Sequence, residues 1–332
     1  MATASSFLRR AMLYVPGSSQ KMLTKTQSLS VDSVIYDLED SVAPESKATA
    51  RGLVARHLAE SFMSSSSRSP KEVAVRINAV ETGLALEDLT EVLKLGKHVD
   101  TIVVPKVQSP ADLHFVADVA RHVAPHRPLS IGSLSGTSKP ELGSDTRPLN
   151  ILALIESARG LSDINAICRA APVTGLSGIA FAAEDFATDL DLKHLPDRRE
   201  LLFARSSIVT AAFAHNLPSV IDLVSVGIPT DKVSREELEQ ASHDGRALGF
   251  TGKQCIHPLQ VDVVQKAFGP SEDSIRWAVR VQEGDLKAKA EGKGAWKLEG
   301  KMIDAPIVKR ALILLDKARL CGIDVSQLKE PI

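Results

Sequence analysis

TIVVPKVQSPADLHFVADVARHV, residues 101–123, changes its hydrophobic period part-way along. From Thr101 to Val107 the side chains are almost all apolar, and no polar alternation breaks the run. Such a run belongs to a strand covered on both faces. From Ala111 onward, Leu113, Val116, Ala117 and Ala120 recur at intervals of one, three and four. That is the apolar stripe of an amphipathic helix. The stretch is one strand followed at once by one helix.

Outward from this unit the same alternation repeats. Runs rich in Val, Ile and Leu lie at residues 11–15, 33–38, 72–78, 149–155, 178–183, 219–224 and 249–256. Helical patterns separate them, as at 200–215, where Leu202, Ile208, Val209 and Phe213 share a stripe. Asp163, Ser234 and Ser271 have the chemistry of helix caps. About eight such units predict an α/β fold, a closed parallel (β/α)8 TIM barrel. An open doubly wound sheet is the competitor, but it carries a Gly-rich turn after its first strand. Here that turn reads PGSSQK, residues 16–21, a poor match.

The chain is longer than the barrel needs. After the eighth strand, residues 273–290 and 306–320 read as two further helices, and the segment GKGAWKLEGKMIDAP (292–306) between them reads as a loop. The expected organisation is a barrel over 11–268 and a C-terminal helical extension over 269–332. Two polar tracts, 64–69 and 126–148, read as surface loops. The first ten residues lack acids and carry two Arg, as the start of a mitochondrial presequence does. The mitochondrial matrix is the expected location, with the cytoplasm as the alternative.

With 40 basic and 41 acidic residues, net charge is −1, so the basic excess of a nucleic-acid binder is missing. No apolar run reaches the length of a membrane span. Cys168, Cys255 and Cys321 are too scattered for a disulfide framework or a zinc site.

A barrel works at the C-terminal ends of its strands. Those ends carry Tyr14, Pro16 and Gly17; Asp37, Glu39 and Asp40; Arg76 and Asn78; and Lys106. Further round come Glu156, Glu184 and Asp185, then Asp222, Lys253 and His257. Glu156 and Asp185, about one βα unit apart, are the candidate Mg²⁺ ligands, because Mg²⁺ takes one or two carboxylates with waters and substrate oxygens. Each could instead cap a helix or pair with an Arg. Arg76 could grip a carboxylate or an enolate oxygen, or form an ion pair with Asp37, Glu39 or Asp40. Lys106 could be a Schiff-base lysine or a salt-bridge partner. Lys21 and Lys25, one helical turn apart, could bind phosphate or be a solvated face. Asp304 alone reads as an N-cap, and His257 as a structural histidine.

These strand ends resemble the citrate lyase β-subunit-like family of the HpcH/HpaI aldolase superfamily. The resemblance is carried by RRAMLYVPGSSQKM (9–22), DSVIYDLEDSVAPESKATAR (32–51), VAVRIN (73–78), VVPKV (103–107), LALIESARGL (152–161) and FAAEDF (181–186). It continues in IDLV (221–224), GFTGKQCIHPLQV (249–261) and the tail at 292–306, which resembles the stand-alone lyases of the family. The resemblance implies a homotrimeric, Mg²⁺-dependent lyase acting on an acyl-CoA and a 2-oxoacid, and, within the stand-alone group, cleavage of (3S)-citramalyl-CoA to acetyl-CoA and pyruvate. It implies metal ligands at Glu156 and Asp185, and substrate contacts at Arg76, Tyr14, Lys21 and Lys25. Asp304 would be an acid/base group reaching a neighbouring subunit's site. Asp37, Glu39, Asp40 and Lys106 would support the site. A malyl-CoA lyase or a malate-type synthase, a CoA-independent 2-oxoacid aldolase, and a silent binding subunit are the alternatives. The insertion at 126–148 departs from the shorter connection expected of the family.

Overall fold

The computed structural model describes residues 8–60, 72–96, 98–130 and 148–328. The tract at 64–69, most of the insertion at 126–148 and the start of the presequence-like segment lie outside the described residues. The chain divides into two compact units, Met1–Val264 and Gln265–Ile332.

In the first unit, eight parallel strands close into a barrel in sequence order. They are β1 (Ala11–Pro16), β2 (Ser33–Asp37), β3 (Glu72–Arg76), β4 (Thr101–Val104), β5 (Asn150–Ile155), β6 (Leu176–Phe181), β7 (Ser219–Asp222) and β8 (Gly252–Cys255). Helices follow the strands: α1 (Gln20–Lys25), α2 (Lys47–Glu60), α3 (Ala85–Leu95), α4 (Pro110–Val123), α5 (Ala158–Ser162), α6 (Ile164–Arg169), α7 (Ala171–Thr174), α8 (Ala183–Asp189), α9 (Leu202–Ala214), α10 (Lys232–Leu248) and α11 (Pro258–Phe268). The TIM-barrel reading is correct, but several strands are shorter than the apolar runs. Apolarity continues into the buried loops beyond the ladder, as at Ile77 and Val107.

The barrel interior is layered, because strand side chains alternate faces. Met12, Ile35, Ala74, Val103, Leu152, Leu154, Ala180 and Ile221 form its apolar core. Two residues further along their strands stand Tyr14, Asp37, Arg76 and Glu156, which therefore face the same way, into the mouth. Two residues before them stand Ser33, Glu72, Thr101, Asn150 and Ser219, at the opposite end.

That opposite end is closed by Arg9, which is 3% exposed. Its guanidinium donates to Glu72 at 2.7–3.0 Å and to Thr101 Oγ1, Ser177 Oγ and Ser219 Oγ at 3.1–3.3 Å. Thr101 Oγ1 donates to Glu72 as well.

Asp222 and Lys253 do not converge on the mouth as expected. Each is next to an inward-facing position, so both point outward, toward the helices. Asp222 accepts two bonds from Arg205 of α9 at 2.6 and 3.1 Å. Lys253 Nζ donates to the Leu223 carbonyl at 2.7 Å. Asn78 is also taken, donating through N and Nδ2 to Asp88 on α3.

The caps follow local chemistry. Ser109 caps α4 in a capping box with Asp112, and Ser271 caps α12 (Glu272–Ala290). Ser234 is not the cap of α10; Asp231 is, and Ser234 completes its capping box from the third helical position. Asp163 sits between α5 and α6 but makes no capping bond.

In the second unit, α12 and α13 (Ala305–Leu320) share a core that includes Ile275, Val279, Ala311 and Leu315. The segment read as a loop is a hairpin, β9 (Trp296–Leu298) paired antiparallel with β10 (Lys301–Ile303). Glu299 and Gly300 turn it with positive φ angles of 50° and 78°. Trp296 lies against Gly284, where an added Cβ would sit 2.0 Å from the indole. Among the described residues, no helix is long and apolar enough to cross a membrane.

Candidate active site

The mouth holds a lattice of acids and bases. Arg76 donates Nε and Nη2 to the two oxygens of Asp37, at 2.7 and 2.8 Å. Its Nη1 lies 3.0 Å from Glu39 and 3.2 Å from Asp40. Lys106 Nζ donates to Glu39 at 2.7 Å and lies 3.8 Å from Asp40. Both bases thus take the ion-pair option left open by spacing. The guanidinium also stacks over Tyr14, 4.8 Å from the ring centroid.

These contacts set the protonation states. Burial alone would raise the Asp37 carboxyl, but the bonds from Arg76 reverse this and hold it below its ordinary value. For Glu39 burial wins over Arg76 and Lys106, and its carboxyl is raised. Burial is also the main reason that the Tyr14 hydroxyl is raised. Burial works against the Lys106 ammonium, yet Glu39 holds its proton more firmly than usual. Lys106 reaches this place with a left-handed backbone, φ 51°, which is uncommon for a non-glycine residue.

Glu156 stands apart. It is 3% exposed, and neither carboxylate oxygen has a hydrogen-bond partner among the described residues. Burial comes first, then the charges of Glu39 and Asp185, and together they push its carboxyl up to about 8; the Lys106 amide and ammonium oppose this. Asp185 is exposed, in the first turn of α8 and not on β6. Asp185 follows β6, the strand next to β5, whose end carries Glu156. A polar recess of about 220 Å³ opens beside Lys106, with Ser109, Asp112 and Arg159 in its lining.

Lys21 and Lys25 are exposed on α1 and form no ion pair among the described residues. His257 accepts from the Leu259 N–H through Nδ1 at 3.2 Å, a local structural bond. Asp304, in the second unit, is the N-cap of α13 and accepts from the Ile307 N–H at 3.2 Å.

One polar residue of the mouth escaped the sequence reading. Gln254 on β8 accepts from the Tyr14 hydroxyl at 2.8 Å. The signal was present: alternation puts Gln254 on the same face as Met12, its register partner in β1.

A profile of the HpcH/HpaI aldolase/citrate lyase family matches residues 10–258, the whole barrel up to the start of α11. The chain belongs to that family. As an HpcH/HpaI member it is an enzyme of the lyase class. It is 35% identical over 309 residues to the mitochondrial citramalyl-CoA lyase of Homo sapiens, covering 91% of this chain and 83% of that protein. It is 34% identical over 318 residues to the citrate lyase subunit beta of Haemophilus influenzae, covering 94% and 97%. A crystal structure of CitE from Mycobacterium tuberculosis, in complex with magnesium, acetoacetate and coenzyme A, aligns with a TM-score of 0.68 at 28% identity, covering 93% of this chain and 98% of that one.

The residues of this HpcH/HpaI member fit a hard divalent cation. Among the described residues no group of three or more His, Cys, Asp or Glu side chains is gathered to hold a metal. Mg²⁺ needs only one or two carboxylates. Glu156 offers two buried oxygens without a hydrogen-bond partner among the described residues, and Asp185, in the first turn after the neighbouring strand, is a second hard donor.

Proposed function

We propose that this chain is a Mg²⁺-dependent carbon–carbon lyase that cleaves (3S)-citramalyl-CoA to acetyl-CoA and pyruvate, and that it works in the mitochondrial matrix as a homotrimer. The observation that carries the reading is Glu156, an inward carboxylate with two unpartnered oxygens next to the Arg76 lattice. The likeness to a citramalyl-CoA lyase and to a CitE structure with magnesium and coenzyme A supports it.

Glu156 and Asp185 would hold the cation. When bound, Mg²⁺ supplies Lewis acidity toward the hydroxyl and carboxylate oxygens of the substrate. The remaining roles fall to the chain itself. Cleavage breaks the bond between the thioester methylene and the carbinol carbon. The carbinol hydroxyl gives its proton to water as its oxygen becomes the pyruvate carbonyl, and the electron pair of the broken bond moves into a thioester enolate. Arg76, held flat by Asp37 and Tyr14, would stabilise that enolate oxygen. Asp37, Glu39 and Asp40 would keep Arg76 and Lys106 charged and oriented. Lys21 and Lys25, which pair with no acid among the described residues, would meet the phosphates of the CoA moiety. Asp304 of a neighbouring subunit would return a proton to the methylene carbon. No Schiff base enters, in keeping with the grip of Glu39 on Lys106.

The test is a substrate panel. The protein is incubated with Mg²⁺ and citramalyl-CoA, malyl-CoA or free 2-oxoacids, and pyruvate, glyoxylate, acetyl-CoA and free CoA are measured. Pyruvate with acetyl-CoA, abolished by EDTA, is the expected result. Glyoxylate formed faster from malyl-CoA would move the assignment to that substrate. Free CoA as the main product would make it a synthase. Full activity in EDTA would sink the metal role. Asp304→Asn should lower kcat by about 10²–10⁴-fold while citramalyl-CoA still binds; loss of binding with chemistry intact would remove Asp304 from the proton transfer.

A further inference from the structure

Gln254 is 4% exposed and has no part in the chemistry just described. Its Nε2 lies 2.9 Å from the carbonyl oxygen of Phe181 and 3.1 Å from that of Asp222. A carbonyl oxygen can only accept, so the side-chain amide has one sensible orientation: its N–H groups point at the ends of β6 and β7. Oε1 is thereby turned toward Tyr14, whose hydroxyl is 2.8 Å away. An amide oxygen also only accepts. The Tyr14 hydrogen is therefore committed to Gln254, and the hydroxyl can offer any other group only a lone pair. Above the hydroxyl end of this chain, the Tyr14 ring carries the Arg76 guanidinium.

We infer that Gln254 is a positioning residue of the proposed lyase: it locks Tyr14 as a hydrogen-bond donor, fixes the ring as the floor beneath Arg76, and bars the Tyr14 hydroxyl from serving as a proton donor to substrate. The catalytic part of this inference rests on the lyase reading; the hydrogen-bond lock does not. The chain of contacts runs from the backbone of β6 and β7, through Gln254 and Tyr14, to Arg76. It ties the far wall of the barrel to the acid lattice on β2 and β3. A binding group must be held to about 0.5 Å to be productive, and a guanidinium resting on a free ring has no such constraint on that side.

Tyr14 and Tyr36 are the two tyrosines of the chain, so the Raman spectrum of the wild type minus that of Tyr14→Phe isolates one hydroxyl. The tyrosine doublet reports whether that hydroxyl donates or accepts. A donor signature is expected in the wild type, and its loss in Gln254→Met. Gln254→Met should lower kcat for citramalyl-CoA cleavage by about 10–100-fold, with KM changed by less than about twofold. Tyr14→Phe, which removes one hydroxyl and leaves the ring in place, should show a loss of the same kind with an unchanged pH–rate profile. The double variant should be no worse than the poorer single variant, since both cut one contact chain. An acceptor signature in the wild type, additive losses, or the disappearance of one limb of the pH profile in Tyr14→Phe would each overturn the inference. If Gln254→Met does not fold, Tyr14→Phe carries the pH and Raman arms alone. If the wild type cleaves no thioester, the lyase reading fails, and the Raman arm still decides the lock.

Discussion

The two ends of the barrel interior are both polar and both buried, yet they are finished differently. At the N-terminal end, Arg9 and Glu72 meet through several hydrogen bonds, and Thr101, Ser177 and Ser219 take up the remaining guanidinium directions. At the C-terminal end, Glu156 is equally buried and neither of its oxygens has a hydrogen-bond partner among the described residues. Buried polar groups in proteins are nearly always hydrogen-bonded. A network that is closed by the chain itself serves the fold, and one left open by the chain is shaped for something that arrives later. Charge alone does not separate the two ends, nor does a single unpartnered hydroxyl such as that of Ser33 at the N-terminal end; whether the buried carboxylate is partnered does.

That contrast can be broken by substitution at either end. The largest effect is expected at the open end. Glu156→Gln should reduce lyase activity by about 10³-fold or more, since it removes half of the proposed carboxylate pair, whose cation would lower the barrier by several kcal/mol. The same variant should fold at least as well as the wild type in EDTA, because it removes an unsatisfied acid. A drop in melting temperature would show that Glu156 is a structural member after all. At the closed end the signs reverse. Arg9→Met should destabilise the protein by about 3–5 kcal/mol by stranding Glu72, while kcat per folded molecule stays near the wild-type value. Chemical denaturation and active-site titration measure the two separately, and loss of kcat in folded Arg9→Met would erase the distinction.

A third effect is on pH dependence in the absence of metal. The Glu156 carboxyl stands at about 8 in the folded chain against an ordinary 4.5. Below the ordinary value it is protonated in both states and contributes no difference. Between the two values the folded chain binds the extra proton, so stability falls as pH rises. Above about 8 the loss is complete. The melting temperature of the wild type in EDTA should therefore decline from pH 5 to 8 relative to Glu156→Gln, and the gap should stop growing above that range. Parallel curves would remove the raised carboxyl from the account.

The difference between the ends also explains what could be read in the sequence. Strand and helix periods sufficed for the barrel, because a parallel sheet covered on both faces leaves long apolar runs. Tyr14, Asp37, Arg76 and Glu156 were found because each stands at the C-terminal end of its strand, and strand alternation turns each of them into the mouth. Asp222 and Lys253 were misplaced by one step of the same alternation, and a single residue of phase turns a mouth residue into an anchor for Arg205. Gln254 escaped because a lone amide carries no charge to draw attention. The Arg9 cluster escaped because its members are spread over four strands and the segment before β1, and each alone is ordinary. The hairpin at β9 and β10 was hidden by its brevity, since three-residue strands are too short to show a period.

Lys106 has one more implication. Its left-handed backbone is a conformation that glycine adopts freely and lysine adopts at a penalty of about 1–3 kcal/mol. A barrel selected for durability alone would place glycine at the end of β4. Lys106→Gly would relax that bend and also release Glu39 from its ammonium partner, so a screen for heat resistance would tend to favour the very replacement that dismantles the acid lattice. Robustness and competence pull in opposite directions at this one peptide unit.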